Sequence, residues 1–137
     1  MKFKGSVKEF DNNWKNSQDS KVEYWTRNTP SNQTQFAFRK LWLLFDKIIK
    51  KNKIKGKDVI EIGSGRGTIS SYFADSGYNS YLLDSSKKAI DIAKNIFKKN
   101  NHKAIFFNNI LNDFKIDKKF DIVFSIGLLE HFKNIEA

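Results

Sequence analysis

The residues Asp58-Val59-Ile60-Glu61-Ile62-Gly63-Ser64-Gly65-Arg66-Gly67 carry the chemistry most readily legible in this chain. A β-branched run bears an acid at its end and breaks into glycines at positions 63, 65 and 67. Strand, tight turn and helix start in that order form a cradle for a nucleotide-like ligand, because backbone without a Cβ can approach the ligand closely. Two ligand classes compete for such a loop. A dinucleotide fingerprint sets glycines at first, third and sixth positions, whereas the sixth position counted from Gly63 is Thr68. Glu61 stands two residues before the first glycine, where dinucleotide folds keep an apolar residue. A carboxylate there repels a pyrophosphate and suits a ligand with positive charge, or one with an ammonium group and hydroxyls.

Alternating strands and helices must position this loop. Residues 34–52 place Phe36, Phe38, Leu41, Trp42, Leu44, Phe45, Ile48 and Ile49 at helical spacing, which predicts an amphipathic helix ended by Gly56. Strands are predicted at 58–63, 79–84, 104–108 and 120–126, with helices at 67–76 and 86–100 and a turn around Leu111-Asn112-Asp113-Phe114. Ser85 or Ser86 can cap the second of these helices. The alternation implies βαβ units and a parallel sheet, and runs such as Ile122-Val123-Phe124 suit strands buried on both faces. Residues 1–33 read as a polar, irregular arm with Trp14, Tyr24 and Trp25 embedded in it.

Composition narrows the function classes. The 137 residues allow one domain with a real core, and 13 Phe against one Pro is a globular balance. The absence of Cys excludes disulfides and thiolate metal sites, and no metal-ligand cluster is expected. No apolar run reaches membrane-span length, and Met1 to Phe10 lacks the apolar centre of a signal peptide, so the expected location is cytoplasmic. The net charge of +10 comes mostly from scattered Lys and reads as compositional bias, while leaving an acidic partner open.

Three motifs in order now resemble a known family. Glu61-x-Gly63-x-Gly65-x-Gly67, an acid closing the second strand, and Phe120-Asp121-Ile122-Val123-x-Ser125-x-Gly127-Leu128-Leu129-Glu130-His131-Phe132 are similar to the class I S-adenosylmethionine-dependent methyltransferases. The resemblance covers residues 34–137, leaving 1–33 as an N-terminal arm or lid. It implies an α/β, Rossmann-like doubly wound sheet, of which these residues supply the first four parallel strands of seven in the order 3-2-1-4-5-7-6.

It also implies site roles. Glu61, Gly63, Ser64, Gly65 and Gly67 lie against the methionine and ribose parts of the cofactor, S-adenosyl-L-methionine. Asp84, 21 positions after Gly63, binds the ribose hydroxyls, with Ser85 near the adenosine. Asn109 stands where the family often has an Asp for the adenine amino group, and Ile110 offers a backbone N–H to the ring. Ser125, Ile126 and Gly127 line the pocket near the sulfonium. His131 is the candidate base, the one imidazole near the proposed cleft, although methyl transfer needs little side-chain chemistry once the reactants are aligned. Asp121 reads as structural, His102 as a solvated loop residue, and the Phe36–Phe45 aromatic stripe as core. Tyr24, Trp25 and Arg27 either cover the ligand or dock the arm on the core.

The three strands that the family adds would take roughly 80 further residues. The reading therefore expects an incomplete domain with an exposed fourth strand, open to pairing, and no turnover from these residues alone. The expected function is methyl transfer to a small molecule. The competing expectations are a nucleic-acid methyltransferase or RNA-binding module, suggested by the charge and the Lys47–Lys57 cluster, and a non-catalytic cofactor-binding or interaction protein.

Overall fold

The computed structural model describes residues 6–16, 22–128 and 131. Leu129, Glu130 and Phe132 of the closing motif lie outside them. The elements run α1 (Val7–Asn16), α2 (Gln33–Lys51), β1 (Asp58–Ile62), α3 (Thr68–Asp75), β2 (Asn79–Asp84), α4 (Lys87–Lys99), β3 (Ala104–Asn108), a 3-10 turn (Leu111–Asp113) and β4 (Ile122–Phe124). The four strands form one parallel sheet in the order β3-β2-β1-β4, as expected for the first half of the seven-strand arrangement.

The helix starts follow side-chain chemistry. Asn32 accepts the Gln35 N–H at 2.8 Å to begin α2, and the Ser86 hydroxyl accepts the Ala89 N–H to begin α4. The arm departs from the irregular segment predicted. Ser6 and Glu9 bond reciprocally, each backbone N–H donating to the other's side chain, and so nucleate α1. This Ser-x-x-Glu signal is present in the sequence, but the Lys and Asn around it mask a weak apolar spacing.

Sheet register decides where the core sits. The pairings Val59↔Ser80↔Ala104 and Glu61↔Leu82↔Phe106 put these side chains on one face, with Ile122 and Phe124 beside them. All the packed helices use that face. Phe73 is fully buried there, its ring against Trp42, Phe45, Tyr78 and Phe124. Leu82, Ala93 and Phe97 continue the core beneath α4. The opposite face carries Ile60, Tyr81, Ile105, Phe107 and Val123. Tyr81 meets Phe107 and Phe120, while Ile105 and Val123 remain 49% and 63% exposed. The expectation of a fourth strand buried on both faces is therefore corrected. Two crossovers in the same direction, both right-handed, put α3 and α4 on the same side, and the described residues place no helix over Val123.

The aromatic stripe of α2 divides as well. Phe38, Trp42 and Phe45 pack on the core, but Phe36 is 56% exposed. Asp121 takes the structural role expected of it, accepting the Asp58 N–H at 3.0 Å. His102 is corrected: its side chain is 4% exposed, wedged against Trp25 and Phe97, with Nε2 3.4 Å from Asp75. Burial pushes its pKa down, so the imidazole that looked like a loop residue is a neutral packing group.

The helix after β1 begins on Gly67, at φ +70°, where a methyl group would sit 2.4 Å from Leu82 Cδ2. Gly67→Ala is expected to cost about 2 kcal/mol through left-handed strain plus overpacking. Thermal denaturation would read this as a clear fall in Tm, and an unchanged Tm would contradict the close approach.

Candidate functional site

A cavity of about 300 Å³ opens at the carboxyl ends of the strands, where open α/β sheets hold ligands. Glu61, Gly63, Ser64, Gly65, Gly67, Asp84, Ser85, Asn109, Gly127 and His131 all line it. Ser125 and Ile110 do not; the walls beside them are formed by Ile126 and Leu111. The parallel ladder explains the convergence: β1, β2, β3 and β4 all end on the same side, so residues up to 70 positions apart meet there.

Asp84 organises the floor. One carboxylate oxygen accepts the Gly65 N–H at 2.8 Å and the other the Ser86 N–H at 2.8 Å. The acid thereby ties the glycine loop to the start of α4. Burial raises its pKa, against the opposing pull of these backbone donors. Each carboxylate oxygen has a second lone pair left for a ligand hydroxyl.

Glu61 lies beneath the loop, 4% exposed, with the Ser70 hydroxyl donating to Oε2. Burial pushes its carboxyl up to about 8, with the Asp84 charge adding to the rise and Ser70 opposing it. The site without ligand therefore holds Glu61 mainly protonated at neutral pH. Its charge is available to a cation that can draw the proton off.

Ser64 adds a further group. Its hydroxyl is buried in the cavity wall and has no hydrogen-bond partner among the described residues, an arrangement that a ligand acceptor would satisfy. Asn109 and Ile110 satisfy each other, the Ile110 N–H donating to Asn109 Oδ1 at 2.8 Å. Asn109 Oδ1 keeps a second lone pair for a ligand donor, while the Ile110 N–H must leave that bond to serve a ligand acceptor. The donor set fits a ligand with a diol, a cationic end and a planar ring. It holds no group of three or more metal-ligating side chains among the described residues.

The arm, expected as a lid with Tyr24 as a candidate cover, also supplies two walls that were not expected, Phe10 and Trp14. Phe10 and Trp14 of α1 line the cavity together with Tyr24 and Phe38. Their signal was the spacing Val7, Phe10, Trp14 on one helical face. Trp25 and Arg27 serve docking instead. Trp25 is buried beside Tyr72, and Arg27 pairs with Asp75. Gln35 Nε2 donates to the Glu23 carbonyl, and Arg39 donates to the Thr26 and Asn28 carbonyls, strapping this stretch to α2. Tyr24 does both, stacking on Phe38 while facing the cavity. No helix among the described residues is long and apolar enough to cross a membrane.

Known proteins share this fold. The ubiquinone biosynthesis O-methyltransferase of Rickettsia felis is 26% identical over 85 residues, which are 62% of this chain and 35% of that protein. The chain thus matches about a third of the length of such relatives. Magnesium protoporphyrin IX methyltransferase from Synechocystis PCC 6803, solved with bound SAH, superposes with a TM-score of 0.66 at 18% identity, covering 93% of this chain and 61% of that one. An S-adenosylmethionine-dependent methyltransferase from Clostridium acetobutylicum ATCC 824 gives 0.60 at 16% identity, over 86% and 42% of the two chains. These likenesses establish the fold as that of the Rossmann-like methyltransferases. A family model described as a methyltransferase domain matches residues 32–137, most of the chain and the whole sheet, and the chain belongs to that methyltransferase domain family.

Proposed function

We propose that this domain binds S-adenosyl-L-methionine in the strand-end cavity and serves methyl transfer to an oxygen of a small molecule. The carrying observation is the meeting of Glu61, Ser64 and Asp84 around one cavity beside a glycine loop. In this reading Asp84 accepts the ribose hydroxyls, Glu61 faces the cationic end, and Ser64 donates to the ligand's carboxylate. Asn109 and Ile110 exchange their mutual bond for the adenine edge, and Ser125 and Gly127 shape the sulfonium side. The cofactor supplies a methyl group already activated by positive sulfur. The chain's part is to align it and exclude water. His131, which stands at the cavity wall, would take the proton that the acceptor oxygen gives up when it is methylated.

The oxygen acceptor rests on the matched relatives, which are ubiquinone biosynthesis O-methyltransferases. Among the described residues β4 is hydrogen-bonded on one side, to β1, and its other edge suits pairing with a further strand that would complete the acceptor wall. Titration calorimetry with S-adenosylhomocysteine, S-adenosylmethionine and NAD tests the binding step. The two adenosyl ligands are expected to bind and NAD is not; binding of NAD alone would refute the proposal.

A further inference from the structure

We propose that α1 is the roof of this cofactor site and that Asp11 is the positioning residue holding it in place. This inference rests on the S-adenosylmethionine reading above and adds to it a part of the chain remote from the glycine loop. Three contacts carry it.

Asp11 Oδ1 accepts the Ser86 hydroxyl at 2.9 Å and the Lys88 N–H at 3.0 Å. A residue of α1 thus caps α4, whose early N–H groups have no partner within their own helix. Trp14 lies on the glycine loop so closely that a methyl on Gly65 would come within 2.9 Å of its Cζ2. Phe10 meets His131 edge to face, with ring centroids 5.0 Å apart.

The first contact also connects to the floor. Ser86, held by Asp11 through its hydroxyl, donates its backbone N–H to Asp84, and Asp84 in turn accepts the Gly65 N–H. A continuous chain of hydrogen bonds therefore runs from α1 through Ser86 and Asp84 to the loop beneath Trp14. With α1 in this position the cavity of about 300 Å³ remains, lined by Phe10 and Trp14 above and by the glycine loop below. The helix covers the space and leaves it open for ligand. Escape of a bound ligand past Trp14 requires α1 to lift, which breaks both Asp11 bonds. Asp11 itself touches no ligand position; its effect passes through Trp14 and Ser86.

The test is the dissociation rate of S-adenosylhomocysteine from the full 137-residue chain, measured by surface plasmon resonance, for wild type, Asp11→Ala, Asp11→Asn and Trp14→Ala. Losing both bonds in Asp11→Ala is expected to speed release about tenfold, with the association rate changed less than about twofold. Asp11→Asn keeps an accepting oxygen and is expected to recover most of the difference. Trp14→Ala, which leaves the Asp11 bonds in place, is expected to speed release as well. Release at the wild-type rate in both Asp11→Ala and Trp14→Ala would overturn the roof. Faster association and tighter binding in Asp11→Ala would overturn it too, by making α1 a plug. A wild-type chain that binds no S-adenosylhomocysteine would fail the cofactor reading itself, and this inference with it.

Discussion

Glu61→Gln is expected to stabilise the folded chain by roughly 3 kcal/mol at pH 7 and to leave it unchanged near pH 4. The carboxyl titrates at about 8 in the fold against 4.5 when free. Below 4.5 both states carry the proton. Between 4.5 and 8 the unfolded chain gives it up while the folded chain keeps it, so folding loses stability as pH rises. Above about 8 the loss is complete. Gln has no proton to lose and still offers an oxygen to the Ser70 hydroxyl, which bonds Glu61 in the native site. Denaturant titrations of both forms across pH 4–9 should diverge steadily through this window; parallel curves would show that the Glu61 pKa is not raised.

The same proton links stability to binding. A cation seated beside Glu61 favours its ionised form. Binding at pH 7 should therefore release close to one proton, visible as a buffer-dependent enthalpy in calorimetry, and affinity should rise with pH up to about 8. Glu61→Gln should abolish both effects. In the proposed reading Glu61 would act as a reserve of charge, neutral until a cationic ligand arrives.

Asp84→Ala is expected to weaken S-adenosylhomocysteine binding by about 100-fold or more, since two hydrogen bonds to an ionised acceptor are each worth about 1.5–3 kcal/mol. Its effect reaches beyond the ligand. Both carboxylate oxygens already accept backbone N–H groups, from Gly65 and Ser86, so the substitution also leaves two donors at the loop and the start of α4 unpaired. Asp84→Asn separates the roles: one amide oxygen can hold one backbone donor, but the amide nitrogen turns a donor toward the other. Calorimetry is the check, with circular dichroism confirming a folded sheet. Affinity within twofold of wild type in Asp84→Ala would remove this acid from the site.

Much of this is legible in the order and type of the residues. The strands at Asn79–Asp84 and Ala104–Asn108 fall on the predicted residues, because the short apolar runs Tyr81-Leu82-Leu83 and Ile105-Phe106-Phe107 are bounded by turn-forming Gly, Asn and Ser. The helix at Gln33–Lys51 is within a residue of its prediction. The loop and Asp84 were legible for a similar reason: glycines after a strand and an acid ending the next one are local patterns, and a parallel sheet converts local positions at strand ends into neighbours.

The misreadings are tertiary in origin. His102 looked solvated because its sequence neighbours are Asn and Lys, yet Trp25 reaches it from 77 positions away. Val123 looked buried because the run around it is apolar, yet the helices share one face. The arm looked shapeless, yet Asp11 finds the start of α4 across 75 positions. Residue order and type were enough for strands, helices, the glycine cradle and the acid beside it, since each rests on propensity and short spacing. Which face of the sheet was covered, how far the Glu61 pKa moved and what closed over the loop depended on packing between segments far apart in the chain. Desolvation and long-range hydrogen bonds arise only when those segments meet.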